Sequence, residues 1–129
     1  MEKVLPANKI VMMYVPCGSE EEAARIISTL LEERLVACGN ILPSQSFYRA
    51  KGKLVNESEL ILVCKTTQGR APAVEERVAQ LHSYEIPCII TIETLSVNRA
   101  YAEWVLRQVN GESNVPSPNQ HGDRVEVNN

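Results

Sequence analysis

Four side chains that could do chemistry lie within the segment His82-Ser83-Tyr84-Glu85-Ile86-Pro87-Cys88. This segment follows a helical pattern and leads directly into an apolar pair, whereas helix-to-strand joints usually contain Gly, Asn and Lys. A histidine that closes a helix can simply complement the helix dipole when it is protonated. It can also bind a metal or transfer a proton. We therefore place the first candidate site at this joint, near Pro87.

Cys38 is the second candidate, because it follows the strongest helical pattern in the chain. It can be a small buried residue between a helix and a strand. It can also be a ligand for a soft or borderline ion such as copper or zinc. A nucleophilic role would need a nearby base, which spacing in the sequence cannot reveal. The four cysteines form no C-x-x-C pair, which excludes a zinc ribbon and a thioredoxin-like motif.

The other candidates each have a structural and a functional interpretation. Lys65 ends an apolar strand, where its stem can follow the surface or its ammonium can meet an anion. Glu59 begins the same strand, either solvated or as an oxygen ligand. The remaining candidates either pack or line a cleft between subunits: Tyr48, Tyr84, Glu85 and Trp104. The sequence contains no Walker loop, G-x-G-x-x-G, H-E-x-x-H or G-x-S-x-G, so it does not predict an enzyme.

The elements that position these residues follow from periodicity and punctuation. The first helix starts at the capping box formed by Ser19 and Glu22. The predicted order is strand Ile10–Val15, helix to Leu35, extended segments 38–42 and 45–50, turn Lys51-Gly52, strand 54–67, helix from Pro72 to His82, strand 88–95, and a helix capped by Asn98. This order is β-α-β-β-α-β with a terminal helix, an α+β ferredoxin-like arrangement. We predict one domain over 1–109 and a polar, flexible tail over 110–129.

Composition narrows the class of protein and its partners. The net charge is −3 and no basic cluster is present, so a nucleic-acid partner is not predicted. The longest apolar run, Leu60–Cys64, is too short to span a membrane. The N-terminus lacks a secretory signal, which predicts a cytoplasmic protein with reduced thiols. Strands such as Ile10–Val15 are apolar on both faces, which predicts a homo-oligomer that covers the second face.

Several motifs together resemble the CutA family of divalent-ion tolerance proteins. They are Glu32–Cys38 with Asn40, Tyr48-Arg49 with Gly52, Glu59–Thr67, Leu81–Pro87, and Tyr101 with Trp104. The resemblance implies a homotrimer of ferredoxin-like subunits, similar to PII signalling proteins, with tolerance to divalent cations and copper binding. This chain differs from the family pattern at three places. Ala50-Lys51 stands where Trp-Glu is usual, Ser83 where proline is common, and Cys88 where glutamate is usual.

Two functional hypotheses follow. In the first, the chain is a trimeric metal-responsive protein that binds Cu²⁺ or another divalent cation through Cys38, His82 and Glu59. In the second, it is a PII-like regulatory trimer that binds a small anionic ligand or a partner protein in clefts between subunits. Those clefts would be lined by Tyr48, Lys65, Tyr84, Glu85 and Trp104. An enzyme with a Cys or His catalyst is the least favoured interpretation.

Overall fold

A four-stranded antiparallel sheet with three helices forms the framework of the computed structural model, which describes residues 5–112, 115–119 and 125. The elements are β1 (Ile10–Cys17), α1 (Glu20–Glu32), β2 (Cys38–Ala50), β3 (Lys53–Thr67), α2 (Ala71–Leu81), β4 (Ile90–Glu93) and α3 (Arg99–Val109), with a 3-10 turn at Pro6–Asn8. The sheet order is β2-β3-β1-β4. This confirms the predicted α+β ferredoxin-like fold with a terminal helix. The start of the N-terminal segment used to exclude a secretory signal, 1–4, lies outside the described residues.

The main core lies between one face of the sheet and the helices α1 and α2. Alternate residues of a strand point to the same face, so every second residue of β1 enters this core. Its members come from both central strands and both helices: Val11, Met13, Val15, Leu62, Cys64, Ala23, Ile26, Leu30, Val74 and Val78. Burial of these side chains, at roughly 25 cal/mol per Å² of apolar surface, is the main force that holds the helices on the sheet.

The second face of the sheet is covered by α3 at one end. Ile10 of β1 packs there with Ala37, Val105 and Val109, which together form a separate small core. Ile90 and Ile92 of β4 are 49% and 42% exposed, so among the described residues this edge of the sheet is apolar and open. The two apolar faces predicted from the sequence are therefore present, and one chain covers the second only in part.

Three boundaries differ from the sequence prediction. β1 continues through Pro16 to Cys17, because β4 pairs only with Val11–Tyr14 and leaves Pro16 without a strand partner on that side. α1 ends at Glu32 rather than near Leu35, because Arg34 adopts a left-handed conformation with φ of 60°. β4 has four residues, much shorter than the predicted 88–95. In addition, Asn98 precedes α3 but its side chain makes no capping hydrogen bond.

β2 and β3 extend beyond β1 as a two-stranded hairpin, residues 44–59, which we call the hairpin arm. β1 pairs only with 60–67 of β3, so no third strand pairs with the arm within the described residues. The arm turns at Lys51 and Gly52, both with positive φ, as a two-residue hairpin requires. Phe47 and Leu54 are 71% and 79% exposed on it. Pro43 lies within β2, an edge strand that continues through it and so joins the extended segments 38–42 and 45–50. None of the helices in the described ranges is long and apolar enough to cross a membrane.

Candidate functional site

His82 ends α2 and is buried, and both of its ring nitrogens are already bonded to the backbone. The amide of Tyr84 donates to Nδ1 at 3.1 Å, so Nδ1 must carry the lone pair. The proton of the neutral ring therefore lies on Nε2, which donates to the carbonyl oxygen of Pro16 at 2.8 Å. In this arrangement the imidazole joins α2 to the end of β1, and neither nitrogen is free to bind a metal.

Glu22 lies next to His82 and joins α1 to the segment that follows α2. One carboxylate oxygen accepts from the amide of Gly18 at 3.1 Å, and the other accepts from the amide of Ser83 at 2.8 Å. Burial raises the pKa of this carboxyl. Its hydrogen bonds with Ser83 and Gly18, together with the nearby His82, lower the pKa by more, so the net pKa is below the usual value. The serine half of the capping box is confirmed, since the amide of Glu22 donates to the Ser19 hydroxyl at 3.1 Å, whereas the Glu22 carboxylate accepts from the amide of Gly18 rather than from that of Ser19.

Cys17 completes a group of three possible metal ligands, because its sulfur and ligand atoms of Glu22 and His82 lie within 4.8 Å of one another. The donor types would suit zinc or copper. However, the imidazole and the carboxylate are bonded to the backbone, and burial together with Glu22 and Glu59 raises the pKa of the Cys17 thiol to about 11. A metal would have to displace all of these bonds and a tightly held proton. The group therefore does not fit a resident metal.

Tyr84 extends this network to the base of the hairpin arm. Its hydroxyl donates to Glu59 at 2.7 Å, and the Ser46 hydroxyl donates to the other oxygen of the same carboxylate. The ring lies against Gly18, where a Cβ atom would come within 3.2 Å of the Tyr84 oxygen. Burial and the Glu59 carboxylate raise the pKa of Tyr84. We call the connected residues the His82 cluster: Pro16, Cys17, Gly18, Glu22, Ser46, Glu59, His82, Ser83 and Tyr84.

An open cleft of about 440 Å³ borders the His82 cluster and shares three residues with it. Its lining consists of Gly18, Ser19, Glu21, Glu22, Arg25 and Ser83. The Ser19 hydroxyl and the Glu22 carboxylate cap the start of α1 from within the chain, which leaves an anion little to bind there. The cleft therefore adds no ligand site to the cluster beside it.

Cys38 lies near the other end of the sheet, against α3. Its sulfur and the Tyr101 hydroxyl share a hydrogen bond of 3.1 Å. Lys65 donates to the Asn40 side chain at 3.1 Å, and its nitrogen lies 5.7 Å from the centre of the Tyr101 ring, within reach of a cation–π attraction. Burial and the bond with Cys38 raise the pKa of Tyr101.

The Tyr101 ring also stacks on Trp104, with ring centres 5.6 Å apart. We call Cys38, Asn40, Lys65, Tyr101 and Trp104 the Cys38 cluster. Its side chains bond mainly to one another, in contrast to the backbone bonds of His82 and Glu22. Tyr101 packs on the apolar face of α3 and was named only in the family resemblance, not among the candidate site residues. A hydroxyl on that face was the available sign that it could bind another polar group.

Six of the eight predicted site residues fall into two separate places. Glu59 and Lys65 lie on the same face of β3 but six residues apart, roughly 20 Å at about 3.3 Å per residue. A single chain thus brings His82, Glu59 and Tyr84 together, and separately brings Cys38, Lys65 and Trp104 together. Tyr48 lies on the hairpin arm, where it donates to Glu57, and Glu85 is exposed. Within one chain, Cys38 and His82 do not form one metal site.

Comparisons with known proteins agree with the fold. Residues 11–108 match the family model of the CutA1 divalent ion tolerance protein. The divalent-cation tolerance protein CutA of Thermus thermophilus is 43% identical over 99 residues, which cover 76% of this chain and 94% of that protein.

Two solved structures show the same arrangement of elements. The divalent ion tolerance protein CutA1 of Ehrlichia chaffeensis superposes with a TM-score of 0.76 at 30% identity, covering 78% of this chain and 95% of the other. The periplasmic divalent cation tolerance protein CutA of Archaeoglobus fulgidus superposes with a TM-score of 0.76 at 34% identity, covering 78% and 98%.

Proposed function

The chain belongs to the CutA1 divalent ion tolerance family, and on that basis we propose that it takes part in the response to divalent cations by binding a soft or borderline cation such as Cu²⁺ at the Cys38 cluster of a homotrimer. One observation carries the choice of site. Cys38 is half-buried and bonds to a phenol, whereas both His82 nitrogens and both Glu22 oxygens already bond to backbone groups. A thiolate at Cys38 would supply the sulfur ligand that copper prefers.

Assembly is supported by the surfaces that one chain leaves open. Phe47 and Leu54 share a face of the hairpin arm, because Phe47 pairs with Asn56 and Arg49 pairs with Leu54. Both are exposed, and so are the apolar residues of β4 at the opposite edge. Exposed apolar patches on a projecting hairpin are typical of interfaces between subunits. A trimer would also bring three copies of each Cys38 into one molecule.

The test of assembly is the mass in solution. We expect sedimentation analysis to give three subunits for the wild type and a smaller mass for the double variant Phe47→Lys/Leu54→Lys. Val125 is 89% exposed and lies beyond the matched family domain, so Val125→Lys is the matched control and should keep the wild-type mass. A wild-type protein with the mass of one subunit would refute the proposed trimer.

The test of the metal site is anaerobic calorimetry with Cu²⁺ and, in parallel, Zn²⁺. We expect tight binding, stoichiometric per subunit, that Cys38→Ser abolishes. Cys88 is exposed and lies outside both clusters, so Cys88→Ser serves as the control for adventitious thiol binding. His82→Ala should leave the stoichiometry unchanged. If Cys38→Ser binds as tightly as the wild type, the Cys38 cluster is not the metal site.

A second candidate function, binding of a small anion, is favoured by the environment of Lys65. Within the described part of the chain its ammonium contacts the Asn40 amide and the Tyr101 ring, and no ion pair compensates its charge. A thermal-shift panel of nucleotides and other anionic metabolites tests this idea. Stabilisation should be lost in Lys65→Met and kept in Lys51→Met, which changes an exposed turn residue. No stabilisation by any anion would exclude this candidate.

We further propose that the protein is cytoplasmic and acts by binding rather than by catalysis. All four cysteines are free thiols, as expected in a reducing compartment, although the Archaeoglobus fulgidus relative is described as periplasmic. Burial raises the pKa of the Cys17 and Cys64 thiols to about 11 and about 12, which disfavours the reactive thiolate. Fractionation of cells that express the native chain, with detection of the protein in each fraction, would test the location.

A further inference from the structure

The described tail segment 115–118 lies beside α3, where Pro116 contacts Trp104, the only tryptophan of the chain. The indole Nε1–H donates to the carbonyl oxygen of Pro116 at 2.9 Å. The matched family domain ends at residue 108, so this contact joins a family residue to a segment beyond the family domain. The tail segment from Val115 to Pro118 has the sequence Val-Pro-Ser-Pro.

The reversal of the chain after α3 is built by specific residues. Gly111 has a φ of 75°, a conformation that favours glycine, and its amide donates to the carbonyl of Gln108 at 3.2 Å. The amide of Glu112 donates to the carbonyl of Arg107 at 3.2 Å, and the two side chains form an ion pair of 2.7 Å. Together these contacts direct the tail back along the helix, towards Trp104.

The chemistry of the segment matches its partner. Val115 and Ser117 each precede a proline and are therefore restricted to extended conformations. An extended proline-containing segment makes no internal hydrogen bonds, so its carbonyl groups are available to outside donors. Docking of such segments on aromatic side chains is a recurring mode of peptide recognition. Here Val115 and Ser117 are half-buried while both prolines are exposed, so the prolines act by stiffening the backbone.

We propose that Trp104, held by its stacking on Tyr101, is a recognition surface for an extended proline-containing peptide, and that the chain's own segment Val115–Pro118 occupies it in cis. The indole N–H supplies the directional bond to a carbonyl, and the stacked ring fixes the orientation of the indole. This inference stands independently of any metal or anion bound at Cys38. It places the docked segment Val115–Pro118 on α3, next to the Cys38 cluster.

The sole tryptophan is a specific reporter for the first experiment, which uses the full chain. We expect the double variant Pro116→Gly/Pro118→Gly to lower the ratio of docked to undocked tail about tenfold, because two stiffening residues are lost. The single indole N–H resonance should then exchange with solvent about tenfold faster, and acrylamide should quench the fluorescence more strongly. Val125→Gly changes an exposed tail residue and should behave as the wild type. Equal exchange rates in the wild type and the double variant would overturn the proposal.

A second experiment tests recognition in trans. A fluorescein-labelled peptide Asn-Val-Pro-Ser-Pro-Asn should raise its anisotropy with the double variant and bind the wild type more weakly, since the tethered tail competes at high effective concentration. The peptide Asn-Val-Ala-Ser-Ala-Asn should bind less well. Trp104→Phe in the double-variant background keeps an aromatic ring without the N–H donor and should abolish binding. Equal binding of both peptides, or of the Trp104→Phe protein, would show that the contact is not proline-directed recognition.

Discussion

The His82 cluster and the Cys38 cluster lie on the same sheet, roughly 20 Å apart along β3, and employ similar side chains in different ways. In the His82 cluster, an imidazole and two carboxylates bond to backbone groups and hydroxyls from three separate segments: 16–18, 46 and 83–84. In the Cys38 cluster, a thiol, an ammonium and two aromatic rings meet on a partly covered face beneath α3.

The difference shows why the type of a residue does not by itself indicate a site. Buried polar groups are stable only when they are hydrogen-bonded. A side chain whose donors and acceptors all bond to backbone groups of the same protein has no capacity left for a ligand. His82 meets this condition on both nitrogens. The Lys65 ammonium keeps donors beyond its bond to Asn40. We therefore expect mutations in the His82 cluster to change stability and those in the Cys38 cluster to change reactivity.

The largest effect is expected for His82→Ala. It leaves the carbonyl of Pro16 and the amide of Tyr84 unpaired and opens a cavity, so the free energy of unfolding should fall by about 3 kcal/mol. Denaturant unfolding at one fixed protein concentration measures it. Glu85→Ala, in the exposed neighbour, should change stability by less than about 0.5 kcal/mol. A fully stable His82→Ala protein that no longer binds Cu²⁺ would reverse the assignment of the two clusters.

The next effect is expected for Glu22→Gln and depends on pH. Because the folded-state pKa of Glu22 lies below the ordinary 4.5, the carboxylate contributes stability that is present above pH 4.5 and is lost as the pH falls through the folded pKa. At pH 7 the variant should be about 2 kcal/mol less stable, since the amide accepts at one position only. Urea unfolding from pH 7 to pH 3 should show the two curves converge. Glu85→Gln, at an exposed position outside the helices, should follow the wild type throughout. A gap for Glu22→Gln that persists undiminished at low pH would refute the ionic role.

A smaller effect is expected in the alkylation rates of the exposed Cys88 thiol and the half-buried Cys38 thiol. We expect iodoacetamide to label Cys88 first and Cys38 about tenfold more slowly, while Cys17 and Cys64 stay protected by burial and raised pKa. Peptide mapping by mass spectrometry over time measures each rate in the same sample. Tyr101→Phe removes the bond to Cys38 and should bring its rate closer to that of Cys88. Labelling of Cys17 as fast as Cys38 would mean that the His82 cluster opens readily.

Local patterns predicted most of the fold, because their causes lie within a few residues. The Ser19–Glu22 capping box, the Lys51-Gly52 turn and the apolar spacing of α1 each act over at most a few turns of chain. The ligand set could not be predicted in the same way. His82 bonds to a carbonyl 66 residues away, and Cys38 bonds to a hydroxyl 63 residues away. Which side chains are already occupied depends on tertiary contacts that no local pattern contains.

The smallest effect tests how firmly α3 covers the Cys38 cluster. Arg34 has a left-handed φ of 60° and donates to the Gln108 carbonyl and side chain at 3.2 and 3.3 Å, which anchors the end of α3. Arg34→Ala loses the anchor and keeps the strained φ, whereas Arg34→Gly loses the anchor and relieves the strain. The glycine variant should therefore be more stable than the alanine variant by about 1 kcal/mol. Since both lose the same anchor, Cys38 should label faster than in the wild type and by the same factor in both. If labelling instead followed overall stability, the exposure of Cys38 would arise from global unfolding rather than from movement of α3.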